Sequence, residues 1–202
     1  MKLYRVAPQD NSGKVSWLLN ELNLPFDFVT LNYQNGETKN PDYLTKHPLG
    51  QVPYFEDGST KIFESYAICT YLADRYIDKG FAPAFTNYQA RAEYYKWMFF
   101  TANSVDSFFN KYKNLANMND EYKSKWGTYI QEKFMKVLST LETQLTGKDY
   151  VLTQFSAVDC CLGYSIDAFI DEPYMSDFPN TKKYYERLKT RPACLKSEVF
   201  KR

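Results

Sequence analysis

The chain is 202 residues long with 44% hydrophobic and 24% charged residues, enough apolar content for one large core or two small ones and too much for a disordered chain. Its 25 basic and 24 acidic side chains nearly cancel, so no whole-molecule field draws in nucleic acid or an anionic membrane. No stretch approaches the roughly 20 apolar residues of a membrane span, and charges interrupt the opening Met1-Lys2-Leu3-Tyr4-Arg5, which excludes a signal-peptide core and points to the cytoplasm.

Residues 2–6 alternate and lean β, and Ala7-Pro8-Gln9-Asp10-Asn11 breaks the strand. Asn11 or Ser12 can cap a helix whose buried side carries Val15, Trp17, Leu18, Leu19 and Leu22, ended by Leu24-Pro25. A second strand covers 26–31, and a polar stretch with an Asn35-Gly36 turn leads to a short helix opened by Asn40-Pro41 and carrying Tyr43 and Leu44. His47-Pro48-Leu49-Gly50 stops that helix. Strands at 52–55 and 60–63 flank the hairpin signal Asp57-Gly58, and Tyr66, Ile68, Cys69, Tyr71, Leu72 and Tyr76 mark a helix to cover the sheet. Residues 1–78 thus form a compact α/β unit of βαβ-α-ββ-α order.

Residues 79–86, with Gly80 and Pro83, lack periodicity and form a linker, and 87–202 are an all-helical domain. A long aromatic helix runs to about Tyr112, and Trp126, Tyr129, Ile130, Phe134, Val137, Leu138, Leu141 and Leu145 recur at intervals of three and four. Further helices fall at 156–170 and 181–189, with a short one after Pro192. None of the four cysteines forms a C-x-x-C pair, so neither a disulfide framework nor a metal site is expected. The 18 Tyr and 15 Phe are unusual, and so much ring area must face other rings or a ligand.

Three blocks resemble the cytosolic glutathione transferase family from end to end, in a form similar to its bacterial members with a serine or asparagine donor. The longest is His47-Pro-Leu-Gly-Gln-Val-Pro-Tyr-Phe-Glu-Asp-Gly-Ser-Thr-Lys-Ile-Phe-Glu-Ser-Tyr-Ala-Ile-Cys-Thr-Tyr-Leu72, similar to N-P-x-G-x-V-P, D-G and E-S-x-A-I-x-x-Y-L. The second is Phe155-Ser-Ala-Val-Asp159, resembling the family's S/T-x-x-D capping box, with Ser156 and Asp159 reciprocally bonded. The third is Tyr185-Glu-Arg-Leu-Lys-Thr-Arg-Pro-Ala193, similar to its closing helix. The resemblance implies an N-terminal thioredoxin-like domain followed by an all-helical one, glutathione as co-substrate, no metal and a homodimer.

The same resemblance places a cis peptide before Pro53, aiming the Val52 backbone at an extended peptide ligand in the manner of strand addition. Ser65 and the helix start beside it suit the ligand's γ-glutamyl carboxylate, Glu64 its ammonium, and Gln51 its backbone. The thiolate is the nucleophile, so a donor must stabilise it. In the family that donor lies on the loop after the first strand, here 7–14. This loop has no cysteine, which disfavours mixed-disulfide chemistry. Ser12 is a hydroxyl donor on it, while Asn11 sits in Asn-Ser-Gly-Lys-Val, similar to the Asn-Gly-x-Lys-Ile/Val of asparagine-type members. Both stand as candidates, with helix capping as the alternative role of each, and Tyr4 is an outside candidate whose place in the strand alternation favours packing.

A second substrate, a small apolar or aromatic electrophile, is expected against Pro8, Gln9, Trp97, Met98 and Thr101. The implied activity is conjugation of glutathione to that electrophile or a related peroxidase step. The competing reading is a non-catalytic binding or regulatory module on the same fold.

Overall fold

The computed structural model describes residues 1–200. Its contacts divide the chain into two units, one made of residues 1–83 with the C-terminal segment from Lys189 onward, the other of 84–188. The first boundary falls inside the aperiodic 79–86 stretch. The return of the C-terminal segment to the first unit departs from a helical domain running unbroken from 87.

In the first unit, β1 (Lys2–Arg5) pairs parallel with β2 (Asp27–Thr30) and antiparallel with β3 (Tyr54–Asp57), and β4 (Thr60–Phe63) pairs antiparallel with β3, giving the order β2-β1-β3-β4. The parallel pair needs a crossover, supplied by α1 (Ser12–Glu21), and the hairpin turns at Gly58-Ser59, because the strand expected at 52–55 runs instead over 54–57 and pairs Asp57 with Thr60. A short α2 (Pro41–Leu44) and α3 (Ser65–Arg75) complete the thioredoxin-like arrangement. Leu3 and Phe55 from the sheet, Val15, Trp17, Leu18 and Leu19 from α1, and Ile68, Cys69 and Leu72 from α3 are buried as its core.

The second unit is helical: α4 (Tyr88–Phe100) runs through a π-helical segment (Thr101–Asp106) into α5 (Ser107–Asn114), followed by α6 (Asp120–Leu145), α7 (Ala157–Asp167) and α8 (Pro179–Lys189). Asparagines open two of these helices, Asn87 Oδ1 accepting from the Ala90 amide and Asn119 Oδ1 from the Tyr122 amide. The aromatic excess is spent on packing around Phe134, whose ring meets Phe109, Tyr112, Phe169 and Tyr174 at centroid distances of 5.8, 5.0, 5.5 and 6.0 Å. Among the described residues, no helix is long and apolar enough to cross a membrane.

Candidate functional site

The block Tyr43 to Ser65 is held by a chain of specific contacts. Tyr43, Tyr4 and Tyr54 form a ring cluster, and the Tyr43 hydroxyl donates to the Gln51 carbonyl at 2.7 Å. Lys39 Nζ donates to the Leu49 carbonyl at 2.8 Å. Gly50 has φ +57°, and a Cβ there would stand 2.3 Å from the Thr38 carbonyl oxygen, so only glycine lets the two backbones approach. These ties fix the entry to Val52-Pro53, whose peptide bond is cis.

The β1–β3 ladder begins at Tyr54, which leaves the half-exposed Val52 just outside it, with its amide and carbonyl beyond the paired register. The exposed side chain of Gln51 adjoins it.

At the other end of the hairpin, α3 starts without a side-chain cap. Its N-cap residue, Glu64, is exposed and has φ 74° and ψ 110°, a conformation costing a non-glycine residue about 1–3 kcal/mol, and such outliers cluster at functional sites. The strain turns the chain so that Ser65 becomes the first helical residue, buried, at the positive end of an 11-residue helix. A helix start in this condition accommodates an anion.

The loop between β1 and α1 is knitted by Asp10, which the spacing did not single out. Asp10 Oδ2 accepts from the amides of Val6 and Ala7 at 2.7 and 2.9 Å, and Oδ1 accepts from the Ser12 amide at 2.7 Å. The expectation that Asn11 or Ser12 caps α1 is corrected accordingly: Asn11 has helical dihedrals and makes no side-chain cap, because Asp10 already serves the first amide. The Asx turn in Asp-Asn-Ser-Gly was the available signal. Ser12 is only 1% exposed, whereas Asn11 is exposed and its Oδ1 accepts from Lys14 Nζ at 2.8 Å.

Tyr4 occupies the ring cluster, and its hydroxyl donates to Glu56 Oε1 at 3.3 Å. Burial first, and then the adjacent Glu56, raise its pKa. His47 is buried with its ring against Phe63, and burial lowers its pKa.

Of the residues expected at a second-substrate wall, Pro8 and Gln9 are exposed on the first unit's loop. Met98 and Thr101 are 2% and 0% exposed, and Thr101 Oγ1 donates to the Trp97 carbonyl, so neither side chain is open to a ligand. Trp97 is buried but borders a cavity of about 410 Å³ beside Lys136 and Thr140.

Two cavities were missed. One of about 560 Å³ in the first unit is lined by Val6, Ala7, Thr30, Leu31 and Tyr33, the last 69% exposed. Its signal was an aromatic residue in an otherwise polar loop. One of about 610 Å³ in the second unit is lined by Phe109, Tyr112, Lys113, Lys123, Gln131 and Tyr174. The Tyr174 hydroxyl is buried there with no partner among the described residues, and burial pushes its phenol up. Among the described residues no group of three or more metal-ligating side chains gathers.

Two family patterns match the chain: "Glutathione S-transferase, N-terminal domain" over residues 1–74 and "Glutathione S-transferase, C-terminal domain" over 100–196. Among curated relatives, the chain is 32% identical over 218 residues to glutathione S-transferase F14 of Arabidopsis thaliana, covering all of this chain and 84% of the relative. Among solved structures, glutathione transferase F2 of Populus trichocarpa superposes with a TM-score of 0.83 at 26% identity, over 99% of this chain and 98% of that one. Glutathione transferase URE2P6 of Phanerochaete chrysosporium, solved in complex with oxidized glutathione, superposes with a TM-score of 0.83 at 26% identity, over 97% and 91%.

Proposed function

Because the chain belongs to the glutathione S-transferase family, we propose that it is an enzyme that conjugates the thiolate of glutathione to small apolar or aromatic electrophiles. The observation that carries this reading is the pairing, within one unit, of the Val52 backbone left outside the sheet with an uncapped helix start at Ser65. An extended γ-linked tripeptide would lay its cysteinyl backbone along Val52-Pro53, its γ-glutamyl carboxylate on Ser65 and the first amides of α3, and its ammonium by Glu64. Gln51, exposed at the turn, would reach the ligand backbone.

For the sulfur, the reading favours Asn11 over Ser12. The Asn11 side chain is exposed and keeps its NH₂ group after Oδ1 is taken by Lys14, whereas Ser12 is almost wholly covered. This corresponds to the asparagine-type members that the Asn-Ser-Gly-Lys-Val segment resembles. Within the first unit, exposed Tyr33 and the Pro8-Gln9 loop would meet the electrophile. Met98 and Thr101 are left out because they are buried. A homodimer accompanies this reading.

Retention on glutathione-agarose with elution by free glutathione, followed by conjugation of 1-chloro-2,4-dinitrobenzene, tests the proposal. Asn11→Ala is expected to lose about 10²–10³-fold in kcat, the usual cost of removing one donor to a developing or resting anion, and Ser12→Ala less than about tenfold. Retention without any conjugation would support the non-catalytic module instead. Full activity in both variants would displace the sulfur site from this loop.

A further inference from the structure

Lys14 is 1% exposed on the first turn of α1, and lysines are almost never so buried unless paired. Its ammonium donates to Asn11 Oδ1 at 2.8 Å and lies 4.8 Å from the ring centroid of Tyr66, the second residue of α3. One buried cation therefore touches both the loop assigned to the sulfur and the helix start assigned to the ligand carboxylate.

The contact with Asn11 is directional. An ammonium has three donors and no acceptor, so the end of the amide facing it is the carbonyl oxygen, and the NH₂ end is left for another partner. An exposed asparagine without that contact presents either end, and its carbonyl would repel a thiolate. We propose that Lys14 is a positioning residue, which locks the Asn11 amide with its donor end outward toward the glutathione thiolate and keeps a positive charge one side chain away from it. This rests on the assignment of Asn11 above. The other charged groups of this loop and these helices are Asp10, whose carboxylate accepts from the amides of Val6, Ala7 and Ser12, Glu64 before α3, Glu21 at the end of α1, and Asp74 and Arg75 at the end of α3. The ammonium that donates to Asn11 is that of Lys14.

The test is a pH titration of the ultraviolet absorbance of enzyme-bound thiolate, on wild type, Lys14→Met, Lys14→Arg, Asn11→Ala and the Lys14→Met/Asn11→Ala double variant, with glutathione Kd measured alongside. Lys14→Met is expected to raise the bound thiol's pKa by about one unit, equivalent to roughly tenfold less thiolate at neutral pH, while Kd moves less than about threefold. Lys14→Arg should recover part of the shift, and the double variant should titrate like Asn11→Ala alone, since both act through one amide. An unmoved titration in Lys14→Met, or additive shifts in the double variant, would overturn the proposal.

If Lys14→Met does not fold, isotope-labelled wild type serves. The Asn11 NH₂ resonances are expected to shift with glutathione and not with S-methylglutathione, and equal response to both would contradict the role. Wild type that binds no glutathione would sink the functional reading, and this inference with it.

Discussion

At the residue scale, Glu64 and Gly50 set conformations that their neighbours depend on. Glu64 holds a positive φ although its side chain is exposed and caps nothing, so its cost in folding must be offset by a use. Glu64→Gly removes strain and carboxylate together, and denaturant unfolding should find it as stable as wild type or up to about 1 kcal/mol more stable. Glutathione affinity in the same variant should fall about tenfold or more, the loss of one charged hydrogen bond. Glu64→Ala should lose the affinity without the gain in stability. Gly50→Ala puts a methyl 2.3 Å from the Thr38 oxygen at a positive φ, and a loss of more than about 2 kcal/mol is expected in urea unfolding.

His47 gives a pH dependence. Burial lowers its pKa, Glu64 partly opposing, so between the unfolded value near 6.5 and the lower folded value the unfolded chain binds more protons. Stability should fall as pH drops through that window, and His47→Asn should flatten this part of the curve in urea midpoints measured from pH 7.5 down to about 5. The positions of Val52, Glu64 and Ser65, on which the proposed roles rest, were legible as a spaced motif. The choice between Asn11 and Ser12 was not, because it depends on Asp10 taking the Ser12 amide and on Lys14 turning inward, neither of which spacing encodes.

At the element scale, α7 depends on its opening residues. Asp159 is wholly buried and accepts from the amides of Val151 and Ser156, from Ser156 Oγ at 3.0 Å and from the Tyr184 hydroxyl at 2.9 Å. The Ser156–Asp159 box was legible in the sequence because such boxes are local. Val151 and Tyr184 were not, since they approach from other segments. Asp159→Ala leaves several buried donors without partners and should cost about 3–5 kcal/mol, against about 1 kcal/mol for Tyr184→Phe, by denaturant unfolding.

The long aromatic helix was legible by its spacing, but its π-helical middle was not, since one widened turn barely disturbs a pattern already crowded with rings. That turn carries Thr101, which is buried and whose hydroxyl donates back to the Trp97 carbonyl of α4.

At the scale of the whole molecule, the chain's last segment belongs with its first unit. Arg191 grips Glu21 of α1 through Nε at 2.6 Å and Nη2 at 2.8 Å, Trp17 Nε1 donates to the same carboxylate at 3.0 Å, and Phe200 sets its ring edge-on to Trp17 at 5.4 Å. α9 (Pro192–Ser197) packs along α1 beside this pair. Arg191→Met leaves a nearly buried carboxylate with Trp17 Nε1 in place of its charged partner and should cost about 2 kcal/mol while leaving glutathione Kd unchanged, since nothing in the proposed site is touched. The Arg-Pro-Ala ending was readable as structural. Its partner, 170 residues away, was not, because no local pattern records a pairing between chain ends.

The central claim is that the first unit recognises a γ-linked tripeptide by its acidic end at the start of α3. Calorimetric titration of wild type with glutathione, and with the analogue in which 4-aminobutyrate replaces the γ-glutamyl residue and so lacks that carboxylate, tests it most directly. Saturable heat from glutathione and affinity at least about 30-fold weaker for the analogue, roughly 2 kcal/mol for a charge-assisted contact, is the expected result. No heat from glutathione, or equal affinity for the two ligands, would contradict it.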